Sequence, residues 1–224
     1  MERLKLWYAE EREKLKALSG REKLEYVWNY YKLWIIGVLS FVAITGFVIY
    51  RAATNIDGFW VYGTFANTMA DAGTGSPLWE DFTAYAGLDL TQKKVEFNDQ
   101  SYFDYLKNQA KGNTYYNAFV SLTDAGVMDF IVMEPDSLAA LAQSGRLTDL
   151  RLERCQALLE RYADRLIYFE SQEAGPIPVG IELSDSLLVT KYRIYPTGCA
   201  LGLCAHSENL ETVALFLQFV LEEG

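Results

Sequence analysis

Asp129-Phe130-Ile131-Val132-Met133-Glu134-Pro135-Asp136 is the stretch on which the fold turns. Its first five residues end in an apolar run that reads as a strand, and Pro135, which has no N–H to give a ladder, blocks its extension. Asp136 then reads as the cap of a helix running through Ser144. Leu138, Leu141 and Ala142 would face inward, and Gly145 would end it. A strand feeding straight into a helix is the unit of an α/β layer.

The alternation recurs outward from this unit. Residues 58–65 read as a first strand, a helix follows around 77–85, and Lys94-Val95-Glu96-Phe97-Asn98 is a second strand. Residues 101–109 and 115–123 read as helical pieces separated by the Gly112-Asn113 break. Residues 152–168 read as a helix, with Leu158, Leu159, Tyr162 and Leu166 spaced for one face. Residues 200–205 are a short strand. Ser207 would cap a last helix whose Leu210, Val213, Leu217 and Val220 form a buried stripe. The pattern implies an α/β fold with a mainly parallel sheet.

The chain has 224 residues, with 20 Lys+Arg against 30 Asp+Glu, one His and three Cys, and a net charge of −10. That balance argues against nucleic acid, whose phosphates call for clustered Lys and Arg. The charge is uneven. Residues 1–51 carry nine basic and six acidic groups, net +3, leaving eleven and twenty-four, net −13, for residues 52–224. Two different things are joined near residue 51.

Residues 33–50, LWIIGVLSFVAITGFVIY, are eighteen residues without a charge. At about 1.5 Å per residue they reach about 27 Å, close to the hydrocarbon thickness of a bilayer. A cleaved signal peptide is the alternative, since Arg51-Ala52-Ala53 supplies small residues near a cleavage point. Its apolar region usually runs only about 7–15 residues, however, and here 32 residues precede it. An uncleaved single-pass anchor is expected. Arg3, Lys5, Arg12, Lys14, Lys16, Arg21, Lys23 and Lys32 precede the span, whereas only Arg51 follows closely. The positive-inside rule puts the N-terminus in the cytoplasm and the remainder outside. Trp28, Tyr30, Tyr31 and Trp34 suit the inner boundary, and Tyr50, Phe59 and Trp60 the outer one. Residues 2–18 read as a helix with Leu4, Trp7, Tyr8, Leu15 and Leu18 roughly on one face, either lying on the membrane or docking a partner, or else simply solvated. Ser19-Gly20-Arg21-Glu22 matches a capping box opening a second helix. The expected organisation is a cytoplasmic helical segment (1–32), the transmembrane helix (33–50), a linker (51–57) and an extracytoplasmic α/β domain (58–224).

A resemblance joins these readings. The run from Asp129 to Pro135, followed by Leu138-Ala139-Ala140-Leu141-Ala142-Gln143-Ser144-Gly145-Arg146-Leu147 and Leu150, resembles a segment of bacterial extracellular solute-binding proteins. Pro176-Ile177-Pro178-Val179-Gly180-Ile181 is similar to that family's strand leaving the first lobe. Leu201-Gly202-Leu203-Cys204-Ala205-His206-Ser207-Glu208-Asn209-Leu210-Glu211 resembles the returning strand and the start of its helix. The likeness covers residues 57–150 and 175–222. It departs where a second lobe should stand, because only about nine residues, 190–198, separate the outgoing segment from Cys199. At most about 3.5 Å each, they form a loop. The resemblance therefore implies lobe I of a type 2 periplasmic binding protein standing alone, its first strand between the second and third, and the returning strand antiparallel beside the third.

In open α/β sheets ligands bind beyond the carboxyl ends of the strands. Those ends offer Thr64 and Phe65 after Gly63; Asn98, Asp99 and Tyr102; Glu134 and Asp136; and Asp185 after Glu182 and Ser184. Such a rim suits a sugar, peptide, amino acid or cation. Each residue also has a local explanation, Asp136 and Ser184-Asp185 as caps and Asn98-Asp99 as a turn. No nucleophile elbow, phosphate-binding loop or His-Glu-x-x-His occurs, so no enzyme, no catalytic residue and no cofactor is expected. Cys155, Cys199, Cys204 and His206 match no common zinc unit, so no metal is expected. Free thiols are expected, with a Cys199–Cys204 or Cys155-containing disulfide as the alternative. The leading expectation is a non-enzymatic accessory subunit presenting its lobe to a membrane or envelope protein. The alternative is a tethered small-molecule receptor feeding a transporter or sensor.

Overall fold

The computed structural model describes residues 9–14, 16, 18–54, 56, 58–105 and 112–222, and the chain divides into two compact units, Met1–Asn55 and Ile56–Gly224.

The first unit is dominated by α1 (Gly20–Thr54). Half of the expected capping box forms, the Ser19 N–H donating to Glu22 Oε2 at 2.8 Å. The 35-residue helix is about 52 Å long, against about 30 Å of hydrocarbon. It is long and apolar enough to cross a membrane, and its most apolar window has no residue buried within the unit. It starts well before residue 33 and continues through Thr54, so the first four residues of the expected linker are helical instead. Residues 9–14 are helical too. Glu11 folds back on α1, its carboxylate accepting from the Tyr26 and Tyr31 hydroxyls, both at 3.0 Å, and from Lys14 Nζ at 3.1 Å. Leu4, Trp7, Tyr8 and Leu15 lie outside the described residues.

In the second unit, six strands form one sheet in the order β2-β1-β3-β6-β5-β4. The strands are β1 (Phe59–Ala66), β2 (Lys94–Ser101), β3 (Phe130–Met133), β4 (Leu166–Ser171), β5 (Gly175–Glu182) and β6 (Ala200–Leu203). β1 pairs parallel with β2 and β3, whereas β6, β5 and β4 follow antiparallel. The sheet is therefore mixed, and its parallel part is confined to the first three strands. β1 does lie between β2 and β3, with β6 antiparallel beside β3.

The helices are α2 (Pro77–Ala86), α3 (Thr114–Asp124), α4 (Pro135–Leu141), α5 (Gln156–Arg161), α6 (Leu187–Thr190) and α7 (Leu210–Glu222). On one face α2 and α7 bury Phe82 and Phe216 against Phe65, Phe97 and Phe130 of the parallel strands. Phe130 and Phe216 stack at 4.9 Å, and Phe65 meets Phe97 edge-on at 5.1 Å. Gly63 is required beneath them, because the Phe130 ring occupies the place of any Cβ. The other face buries Phe119 of α3 and Leu138 and Leu141 of α4 over Ile131 and Met133.

Several elements differ from expectation. The helix expected over 152–168 is replaced by a 3-10 turn at Glu153–Cys155, the short α5, a second turn at Ala163–Arg165, and β4. Ile167 and Phe169 alternate inward on β4, which pairs with β5 across a tight turn that Gly175 closes at φ +68°. That alternation beats the helical spacing. Strand β2 runs on to Ser101, residues 102–104 are irregular, and 106–111 lie outside the described residues, so no helix covers 101–104. Glu134, not Asp136, is the residue preceding α4, and its side chain makes no capping bond; Pro135 opens the helix. Ser207 does not cap α7. Its hydroxyl donates to Asp129 Oδ1 at 2.7 Å, 78 residues upstream, and the helix begins at Leu210. Cys155, Cys199 and Cys204 are buried free thiols.

Candidate functional site

The connection leaving β1 runs to β2 on one side, and the connection leaving β3 runs the other way, to β4. The crevice beyond the carboxyl ends of β1 and β3 is thus the switch point where such sheets place ligands. Here Tyr195 fills it. Its hydroxyl lies 2.9 Å from the Ala66 carbonyl oxygen, at the end of β1, and 2.8 Å from that of Val132, one residue before the end of β3, and shares its one proton between them. The residue is only 2% exposed, and burial pushes its hydroxyl well above the usual tyrosine range. The loop carrying it is tied down on both sides. Ile194 N–H donates to Leu188 O at 2.8 Å, and Met69 N–H donates to Ile194 O at 3.1 Å. Gly198 returns the chain at φ +105°, where a Cβ would strike the Ser184 side chain.

Beside the closed crevice, a cleft of about 630 Å³ runs along β1 and β2. Tyr62, Glu96, Asn98, Asp71, Gln100 and Tyr102 line it, with exposed Met69 on its rim. Tyr62 and Glu96 are partners in the β1–β2 register, as are Thr64 and Asn98, so alternation puts Tyr62, Glu96 and Asn98 on one face. Burial pushes the Tyr62 hydroxyl up, Glu96 adds to the shift, and a hydrogen bond with Asn98 opposes it. Tyr102 meets Tyr115 edge-on at 5.9 Å. The lining has three carboxylates, amides and phenols, and no Lys, Arg, His, Ser or Cys.

Of the seven residues expected to form a site, the structure brings together three: Asn98, Asp99 and Tyr102. Asp99 is only 9% exposed, and its Oδ2 accepts from the Ala72 and Gly73 N–H groups at 3.0 and 3.1 Å. Burial would raise its pKa, but bonds from Gln100, Ala72 and Gly73 outweigh that and hold it below the usual carboxylate range. Asp99 therefore positions the loop that walls the cleft. Thr64 and Phe65 are fully buried, because β1 extends past them to Ala66. Glu134 is exposed ahead of α4. Asp185 lies away on an ion pair with Arg165, at 2.5 and 2.8 Å, which holds its carboxyl below the usual range.

Sequence reasoning missed Tyr195, Asp71, Glu96 and Tyr62. It also missed the buried Asp129 as a hub, whose carboxylate takes the Tyr62 N–H at 2.8 Å as well as Ser207 and Asn209. Asp129 heading an apolar run, with Ser207 and Asn209 after the last strand, was the available signal; Tyr195 had none. Among the described residues no group of three His, Cys, Asp or Glu side chains is arranged to hold a metal ion.

Comparison of the chain with family models, curated proteins and solved structures finds no match.

Proposed function

We propose that the protein is a single-pass membrane protein, N-terminus in the cytoplasm, whose second unit is a non-enzymatic, extracytoplasmic interaction or accessory subunit resembling one lobe of a solute-binding protein. The observation that carries this reading is Tyr195: the place where an open α/β sheet takes a small ligand is occupied by the chain's own side chain. The strand order β2-β1-β3-β6 supports the single-lobe likeness. The acidic balance of residues 52–224 favours a basic partner.

A tethered receptor is the second reading, favoured by the polar cleft of about 630 Å³. A thermal-shift screen of the full chain in detergent against sugars, amino acids, peptides and divalent ions separates the two. A ligand at about 100 times its dissociation constant adds about 2.7 kcal/mol. A shift that the Asn98→Ala, Tyr102→Ala variant loses establishes the receptor and defeats the accessory reading. A flat screen on a cooperatively melting protein supports the accessory reading. Sidedness is tested with an impermeant thiol reagent on intact cells after mild denaturation, which the burial of all three cysteines requires. Labelling only after the membrane is breached reverses the orientation.

A further inference from the structure

The sheet has two edge strands, β2 and β4, and exposed edges are templates for another strand unless they are blocked. β2 is blocked. Trp79 Nε1 donates to Val95 O at 2.8 Å, and Thr74 covers Phe97 twice, its N–H donating to Phe97 O and its hydroxyl accepting from Phe97 N–H, both at 2.9 Å.

β4 is not treated this way. Its register with β5 sets Tyr168 opposite Pro178 and Glu170 opposite Pro176. A proline has no N–H for the facing strand, so these are non-hydrogen-bonded pairs, whose backbone groups point away from each other. The Pro178 carbonyl confirms the sense: it turns away from β4 and accepts from Leu150 N–H at 2.9 Å. Tyr168 and Glu170 therefore aim their N–H and C=O groups at the outer edge, two donors and two acceptors. Among the described residues no backbone hydrogen bond outside the β4–β5 pairing reaches β4. The strand carries no proline and no lysine. Tyr168 is 49% exposed, and Glu170 and Glu173 are exposed beside the edge.

We infer that the outer edge of β4 is a docking site for an extended, basic segment of a partner protein, which adds to the sheet as a seventh strand. The inference rests on the accessory reading and names its contact surface. Backbone groups of Tyr168 and Glu170 supply the ladder, and the carboxylates of Glu170 and Glu173 select positive charge. The net charge of −13 over residues 52–224 makes a second copy of this unit a repelled occupant and a basic segment an attracted one.

The test uses the full chain in its own membranes, with p-benzoylphenylalanine replacing Tyr168 or, separately, Met69 on the cleft rim, and sequencing of the adducted peptide. The expected adduct from position 168 is a net-positive segment of another protein. Its yield should fall about five-fold in the Glu170→Lys, Glu173→Lys variant, with an unchanged melting midpoint because both side chains are exposed. Should the lysine pair fail to fold, Glu170→Gln with Glu173→Gln carries the same test with a smaller fall. An adduct to β4 of a second copy, or a yield indifferent to these charges, overturns the proposal. Adducts from Met69 alone overturn it while leaving the accessory reading intact. Adducts from neither position sink both.

Discussion

Replacing Tyr195 by Phe removes one oxygen and nothing else from the crevice between β1 and β3. The hydroxyl has one proton and two carbonyl neighbours, at 2.9 and 2.8 Å, so the loss is one buried hydrogen bond plus the weaker attraction to a second acceptor. A hydrogen bond is worth about 1 kcal/mol net, and leaving a buried acceptor bare costs about 1–3 kcal/mol. The expected loss is about 1–3 kcal/mol, or about 2–12 °C in the melting midpoint for a unit of this size. Tyr195→Ala adds a cavity and should cost about 3–5 kcal/mol. The assay is thermal unfolding of the full chain in detergent, followed by near-ultraviolet circular dichroism and compared between variants that share the same aromatic residues in α1. The alanine variant is then taken through the same ligand screen. The expected result is a graded loss, wild type above Phe above Ala, with new small-molecule shifts only in the opened variant. A Phe variant melting with the wild type would refute the bridging role of the hydroxyl, and with it the closed switch point on which the functional reading rests.

Other perturbations read other parts of the molecule. Asp129→Ala strands the Tyr62 N–H, the Ser207 hydroxyl and the Asn209 amide in the interior and should cost about 3–5 kcal/mol, measured as a lower urea midpoint, with Asp129→Asn losing less. Gly63→Ala drives a methyl into the Phe130 ring and should cost about 1–3 kcal/mol by the same measurement; an unchanged midpoint would mean the ring moves freely. Burial pushes the Cys199 and Cys204 thiols up to about 12. Because the folded values are raised, stability is intact below the unfolded thiol value of about 8.5 and falls as pH rises from there through about 12. Urea midpoints at pH 8 and pH 10.5 should therefore diverge in the wild type and diverge less in Cys199→Ala, and equal slopes would contradict the burial of that thiol.

What was legible in the sequence is what neighbouring residues decide. β3 is bounded by Pro135, residues 33–50 of α1 are without charge on any face, and α7 carries a single stripe, so each is specified within its own window. β4 was not legible because Leu166-Ile167-Tyr168-Phe169 continues the spacing of Leu158, Leu159 and Tyr162 as readily as it alternates. Pairing with β5 and the burial of Ile167 and Phe169 on the α4 face decide between the two, and both lie outside the window. Ser207 shows the same competition at one atom: a hydroxyl before a helix suits a cap, and Asp129 takes it from across the fold. The candidate site divides likewise. Asn98, Asp99 and Tyr102 follow from the end of β2. Thr64 and Phe65 fail because β1 runs further than its apolar pattern, to Ala66. Tyr195 sits on a loop with no periodicity at all.

The way this sheet disposes of its exposed backbone bears on what the unit is for. A protein must satisfy or shield carbonyl and amide groups wherever a sheet ends. At the carboxyl ends of β1 and β3 the chain spends a tyrosine hydroxyl. Along β2 it spends Thr74 and the Trp79 indole. On β5, where β6 no longer reaches, it places Pro176 and Pro178, which have no N–H to shield. Three separate devices thus close three places, including the one where a small ligand would be expected. Among the described residues, β4 keeps its groups turned outward under a half-exposed tyrosine. A receptor would gain from the reverse arrangement, an open crevice and closed edges. That contrast supports a unit whose business is with another chain, and it makes the edge of β4, ahead of the polar cleft, the first place to look for it.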